Sequence, residues 1–234
     1  MNNRNAVWNS KQNLLRSLLL KPDRFEEAIQ ICLDQHAMAH SSEVSKINEV
    51  TFEDELWEDL EEAAFRAKPD EKSTTIAWCL WHITRIEDIT MNILVADEPQ
   101  VYNAGQWRSK LDVAVSDTGN AMSNEEIVEL SSRLDMLEFR NYRTAVGRKT
   151  REQIQKLQPS DLRMKMKPER LQRILDEGAV LEEGSSRWLI DFWGRKNVAG
   201  ILLMPITRHL IVHIHEAMAL KKKYQSSRIK KAVV

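Results

Sequence analysis

The sequence is short of chain-breaking residues. Seven Gly and six Pro in 234 residues are too few for the many tight turns of an all-β fold, so long helices are the simpler reading. Cysteine is scarcer still. Cys32 and Cys79 cannot build a disulfide framework, and each lies in an apolar stretch, the usage expected of a reduced, cytoplasmic protein. Neither sign of charge is in excess: 34 basic residues face 35 acidic ones, a formal net charge of -1. That balance argues against a strongly basic nucleic-acid binder, which needs surplus Lys and Arg to replace phosphate counterions. No apolar run reaches the roughly 18 residues that a membrane span needs; the best uncharged stretches are Ser73 to Thr84 and Asn197 to Thr207. Leu14 to Leu20 is broken by Arg16 and followed by Lys21-Pro22-Asp23, so no secretory leader is expected.

What is present suffices for a core. With 42% hydrophobic residues the chain is not of the disordered type, and its length suits one domain. Residues 1–234 are read as a single helical domain, with an N-terminal arm over 1–21 and a basic tail over 224–234.

Four long helices are expected. The first opens at Pro22 or Asp23, where Asp23 and Glu26 have capping-box spacing, and its apolar row runs Phe25, Ile29, Cys32 toward Val44 and Ile47. A short acidic helix opening at Thr51 carries seven acids between Glu53 and Glu62, expected to form a solvated face around Leu56, Trp57 and Leu60. The second long helix runs from Ser73 or Thr74 to about Val95, and the row Trp78, His82, Ile86, Ile89, Ile93 places His82 on an apolar face. Asp97 to Met122 reads as a long connection with one turn of helix near Trp107; loops of that length are usually functional. Ser123 and Glu126 form a second capping box before a short helix, and the third long helix spans Leu134 to Leu157 with Gly147 inside it. Short elements fill 160–195, including a helix from Pro168 stopped by Gly178. The fourth long helix runs from Val198 to Lys223, and Pro205 must open or kink it. From Lys221 onward there are six basic residues and no acid, read as a solubilising tail that suits a helix C-terminus. The inventory is all-α, a four-helix bundle with extra short helices and a long connecting loop, whose interior sites are built from side chains on facing helices.

The six histidines fall in groups. Four residues of helix turn through about 400°, so His209 and His213 share a face, as do His36 and His40; a two-residue step turns about 200°, so His215 points away from His213. Imidazole suits zinc, nickel, copper and iron, and three nitrogens leave a position open for water or substrate. By spacing alone, His82 completes a site with His209 and His213, while His36 and His40 are a rival pair continuing the row of Phe25, Ile29 and Cys32. Spacing does not choose between them.

The stretch Ser73 to Glu87, with Ile76-Ala77-Trp78, Trp81-His82-Ile83 and Ile86-Glu87, resembles the second helix of the DinB/YfiT-like metalloenzyme superfamily. His209-Leu210-Ile211-Val212-His213, followed by an apolar helix ending in basic residues, resembles its partner motif, and Thr51 to Leu60 fits the same layout. The resemblance implies an up-down-down-up bundle, commonly a homodimer, with a divalent metal, zinc or nickel, held by His82, His209 and His213. It also implies a metal-dependent transferase or hydrolase acting on a small molecule, such as a thiol-dependent S-transferase using a low-molecular-weight thiol. The alternative is a noncatalytic metal-binding or stress-response bundle. The chain departs from the compact family pattern at Asp97 to Met122 and 160–196, and by carrying His36 and His40.

With three neutral imidazoles as ligands, a bound water or thiol would lose its proton near neutral pH. No general base is assignable: Glu87 and Asp88 are read as surface or interhelical charges, about 140° and 120° round the helix from His82. No phosphate loop, Gly-x-Ser-x-Gly turn or His-Glu-x-x-His motif is present. Trp81, Trp188 and Trp193 are read as capping the core more readily than as lining a pocket. Neither a membrane nor a nucleic acid is an expected partner.

Overall fold

A computed structural model describes residues 3–232, with side chains through Arg228. Met1, Asn2, Val233 and Val234, the outer ends of the expected arm and tail, lie outside the described residues. In chain order the helices are α1 (Asn3–Leu18), α2 (Phe25–Met38), α3 (Ser42–Ser45), α4 (Phe52–Trp57), α5 (Glu62–Arg66), α6 (Ile76–Asp88), α7 (Val101–Ala104), α8 (Trp107–Leu111), α9 (Asn124–Arg133), α10 (Met136–Lys156), α11 (Pro168–Asp176), α12 (Gly184–Gly194), α13 (Val198–Leu203) and α14 (His209–Ala232). Among the described residues there is no strand, only one antiparallel bridge between Lys165 and Asn197. The fold is all-helical, as the sparse glycine and proline imply.

The four long helices form a ring. α6 packs on α14 and on α10, α10 packs on α2, and α2 meets the π-helical stretch Met204–Arg208 that joins α13 to α14. The apolar residues of these helices form two clusters rather than one. The first gathers Cys32 and Leu33 of α2, Ile86 of α6, Ile154 of α10 and Ile206 before α14. The second gathers Ala39, Ile83, Val146 and Leu210. Between them every long helix contributes buried polar side chains: His36, Thr84, Glu87, Asp88, Arg143, Thr150 and Thr207. A polar layer thus crosses the bundle, with its hydrogen-bonding groups turned inward.

Helix ends follow local chemistry. Thr75 caps α6 by accepting from the Trp78 amide, and Thr51 with Asp54 and Ser123 with Glu126 form capping boxes on α4 and α9. No side-chain cap forms at Asp23, where a turn of 3-10 helix, Pro22–Arg24, precedes α2. Pro205 lies in the π-helical stretch, whose loose carbonyls are satisfied by side chains: Thr207 Oγ1 donates to Leu202 and Leu203, and Gln12 Nε2 of α1 donates to Leu203 at 3.0 Å.

Three expectations need correction. The first long helix does not reach Val44: it breaks after Met38, and Val44 belongs to the separate turn α3. The stretch 1–21 contains a helix, because Trp8, Gln12, Leu15 and Leu18 form one buried stripe packed on α2 and α13. Nor is the acidic segment wholly solvated. Glu53 is buried, with Oε1 accepting from Arg143 Nε at 2.6 Å and Trp57 Nε1 at 3.0 Å. The basic end of α14 packs beside this segment: Arg228 pairs with Glu61, Lys221 donates to the carbonyl of Leu56 at 3.1 Å, and Lys223 pairs with Asp70 further along. By length and composition alone, the continuous helix Val198–Arg228 is apolar enough to cross a membrane; here Val198, Leu202, Ile206, Leu210, Ile214 and Ala217 are buried against the other helices.

Candidate metal centre

The α6 side of the site is organised by backbone carbonyls of the long connection. Four residues on successive turns of α6 each donate to it: Trp78 Nε1 to Gly119 at 3.1 Å, Trp81 Nε1 to Asp117 at 3.0 Å, His82 Nδ1 to Thr118 at 2.8 Å, and Arg85 Nε to Ser116 at 3.0 Å. Gly119 has φ +71°, and a Cβ there would stand 2.9 Å from Trp78 Nε1, so both backbone and packing select glycine. Because the Nδ1 proton of His82 is given to a carbonyl, its Nε2 carries a free lone pair. Trp78 stacks on the same imidazole, with ring centres 4.9 Å apart and planes within 6°.

The other side comes from α14. His209 and His213 stand on one face of the helix with ring centres 4.7 Å apart, and each ring centre lies 5.0 Å from that of His82. The three rings meet edge to face, and one nitrogen from each lies within 4.8 Å of the others. His213 Nδ1 donates to Glu216 Oε2 at 2.8 Å, so its Nε2 is free in the same way. A carboxylate behind an imidazole raises its basicity as a ligand and fixes its orientation. His209 Nδ1 has no partner. His82 is buried whereas His209 and His213 are partly exposed, which leaves one side of the group open.

The electrostatics keep His82 and His209 uncharged. Burial, and after it the charge of His213, pushes His82 down to about 4 against an ordinary 6.5, although the Thr118 carbonyl and Glu216 oppose the shift. Burial, then His82 and His213, holds His209 well below 6.5. Neutral imidazole is the form that binds a metal. Glu216 is lowered by its bond to His213 and stays a carboxylate. These residues therefore fit a divalent ion: three free nitrogens converge, two of them with the tautomer fixed from behind.

His36 and His40 do not join this group. Both are buried and bond instead to Glu87. His215 turns away from the triad, as its spacing predicts, and packs edge-on against Phe52, with ring centres 4.9 Å apart. Glu87 and Asp88 are interhelical, and neither is at the surface. Asp88 is buried and accepts from Arg85, from the Tyr142 hydroxyl at 2.7 Å and from the backbone amides of Val101 and Tyr102. Trp81 and Trp193 are core residues, and Trp188 lies on the surface.

Sequence reasoning missed three neighbours of the triad. Glu216, one turn beyond His213, was readable from spacing. Trp78 reads from the sequence as part of an apolar row and of the Ile76-Ala77-Trp78 motif, with nothing to mark its stacking on His82. Cys79 offers its Sγ within 4.8 Å of His213 and Glu216, but burial pushes its thiol up to about 12, so it stays protonated. A cavity of about 340 Å³ is lined by Val113, Val115, Asp117 and Met122 of the connecting segment with Glu126 and Leu181. None of the three histidines lines it.

A family model described as the DinB superfamily matches residues 54–217, a span that takes in His82, His209, His213 and Glu216 and leaves out His36 and His40. No curated protein matches the chain.

Proposed function

The chain belongs to the DinB superfamily, and on that premise we propose that it is a metal-dependent enzyme. In this reading a divalent ion, zinc or nickel, is held by Nε2 of His82, Nε2 of His213 and a ring nitrogen of His209, and the protein acts as a transferase or hydrolase on a small molecule. The observation that carries the proposal is the convergence of three imidazoles from two helices, with Nδ1 of His82 committed to Thr118 and Nδ1 of His213 to Glu216.

A divalent cation on three neutral ligands keeps its double charge and lowers the pKa of a water or thiol toward 7. The remaining work falls to the chain. Thr118 and Glu216 hold the two Nδ1 protons in place, Trp78 fixes the plane of His82, and the partial exposure of His209 and His213 gives a substrate its approach. A thiol fits this site because the thiolate is the competent nucleophile, so a low-molecular-weight thiol is the proposed co-substrate and a homodimer the proposed assembly. The experiment is to load tag-free protein with zinc or nickel and follow loss of free thiol from glutathione or cysteine in the presence of an electrophile. Metal-dependent consumption abolished by His82→Ala supports the proposal; consumption indifferent to both metal and His82 counts against it.

A second reading, a noncatalytic metal-binding or stress-response bundle, is favoured by one observation. Among the described residues beside the triad, Cys79 stays a thiol and Glu216 is engaged with His213, so neither stands free as nucleophile or base. This reading expects metal binding without turnover.

A further inference from the structure

Glu87 stands five residues beyond His82 on α6, about 140° round the helix, and takes no part in the site above. Its two carboxylate oxygens face two different rings, one on α2 and one just past its end: Oε1 lies 2.8 Å from His36 Nε2, and Oε2 lies 2.8 Å from His40 Nε2. The rings are stacked with centres 4.3 Å apart. All three side chains have no solvent exposure, and a ligand atom from each lies within 4.8 Å of the others. Two nitrogens and two oxygens are thus gathered at one point of the polar layer between the apolar clusters.

The hydrogen-bond inventory of this group does not close. To donate to Glu87, each neutral imidazole must carry its proton on Nε2, which leaves Nδ1 as a bare acceptor. Neither Nδ1 has a donor. Facing His40 Nδ1 at 3.7 Å is Glu53 Oε2, which has no partner either. Two acceptors therefore face each other in a dry interior, where unsatisfied polar atoms are costly. A cation in place of the two Nε2 protons would reverse this. Each ligating imidazole would carry its proton on Nδ1, and that of His40 would point at Glu53, the carboxylate-behind-histidine arrangement of metal sites. Space is reserved for the ring: a Cβ on Gly147 would stand 2.7 Å from His40 Nδ1.

We propose that His36, His40 and Glu87 form a second, internal site for a divalent transition ion of the zinc class, with Glu53 orienting His40. The donor set is a zinc set, two imidazoles and a carboxylate. Being enclosed, the site takes its ion during folding and ties α2 to α6, a structural role separate from the open triad.

The test uses the tag-free full chain and its His82→Ala/His209→Ala/His213→Ala variant, both produced in zinc-supplemented medium, dialysed natively against EDTA and analysed for metal. The expected result is that the triple variant keeps about one zinc per chain through EDTA and releases it only on unfolding. Adding Glu87→Gln, which preserves shape, then removes the zinc. Should that variant fail to fold, the triple variant grown with cobalt decides alone, by showing the visible absorption of four-coordinate Co(II). A folded triple variant that carries neither zinc nor cobalt overturns the proposal and leaves a proton as the cation of the cluster. The two readings fail separately: a single wild-type ion lost in the triple variant leaves only the triad, and one retained there leaves only the internal site.

Discussion

His82 gives its Nδ1 proton to the carbonyl of Thr118, a residue 36 positions along the chain and 2.8 Å away. A backbone loop, rather than a side chain, thereby decides which nitrogen of His82 faces His209 and His213. The loop is held in register by Trp78, Trp81 and Arg85 as well, so the polar row of α6 and the turn at Gly119 work as one unit.

That relationship predicts the effect of Gly119→Ala. A left-handed φ costs an L-residue roughly 1–2 kcal/mol, and the new Cβ would meet the Trp78 indole at 2.9 Å. We expect the melting temperature and zinc affinity to fall together, measured by thermal denaturation and chelator competition. A stable variant with unchanged affinity would show that the loop does not hold the ring.

Glu216→Gln isolates the carboxylate behind His213. Loss of such an outer partner typically costs about 10- to 100-fold in metal affinity, and because Glu216 is partly exposed the fold should be undisturbed. Chelator competition should show that weakening with no change in melting temperature. Equal affinity would mean that the 2.8 Å bond does not tune the ligand.

Acid should weaken the metal-free fold. His82 and His36 titrate in the folded state at about 4 rather than 6.5, in each case through burial first, followed by the charge of His213 for the one and of His40 for the other. Between these values the unfolded chain binds more protons, so stability is full above about pH 6.5 and declines as pH falls toward 4. The loss is on the order of 3 kcal/mol per ring. Urea midpoints from pH 7 to 4 should decrease steadily; a flat profile would contradict the buried, neutral state of both rings.

Gly147→Ala tests packing against propensity. In an exposed helix interior this change stabilises by about 1 kcal/mol, whereas here the added methyl would come within 2.7 Å of Nδ1 and 2.8 Å of Cε1 of His40, a buried ring with nowhere to retreat. Chemical denaturation should show a loss of stability. A gain would mean that the ring moves freely.

Much of the helical order was legible because periodicity and capping are local: Ser123 with Glu126, Thr51, and the row through His82 all stand where spacing puts them. The break after Met38 was not legible, since the apolar row continues through it to Val44. Nor was α1, whose buried stripe of Trp8, Leu15 and Leu18 is diluted by polar neighbours. At the site, the i, i+4 step exposed His209 and His213, but the choice of His82 over His36 and His40 rested on resemblance. Spacing alone cannot show that Glu87, on the opposite side of α6 from His82, captures the rival pair. Glu53 looked solvated because its sequence neighbours are acidic, and only the tertiary fold brings Arg143 to it.

The most direct measurement is anomalous diffraction at the zinc edge from crystals of zinc-loaded protein. The account predicts a peak among His82, His209 and His213, about 2.0–2.1 Å from a nitrogen of each. Crystals in which zinc is bound elsewhere, and those three rings carry no peak between them, would contradict it.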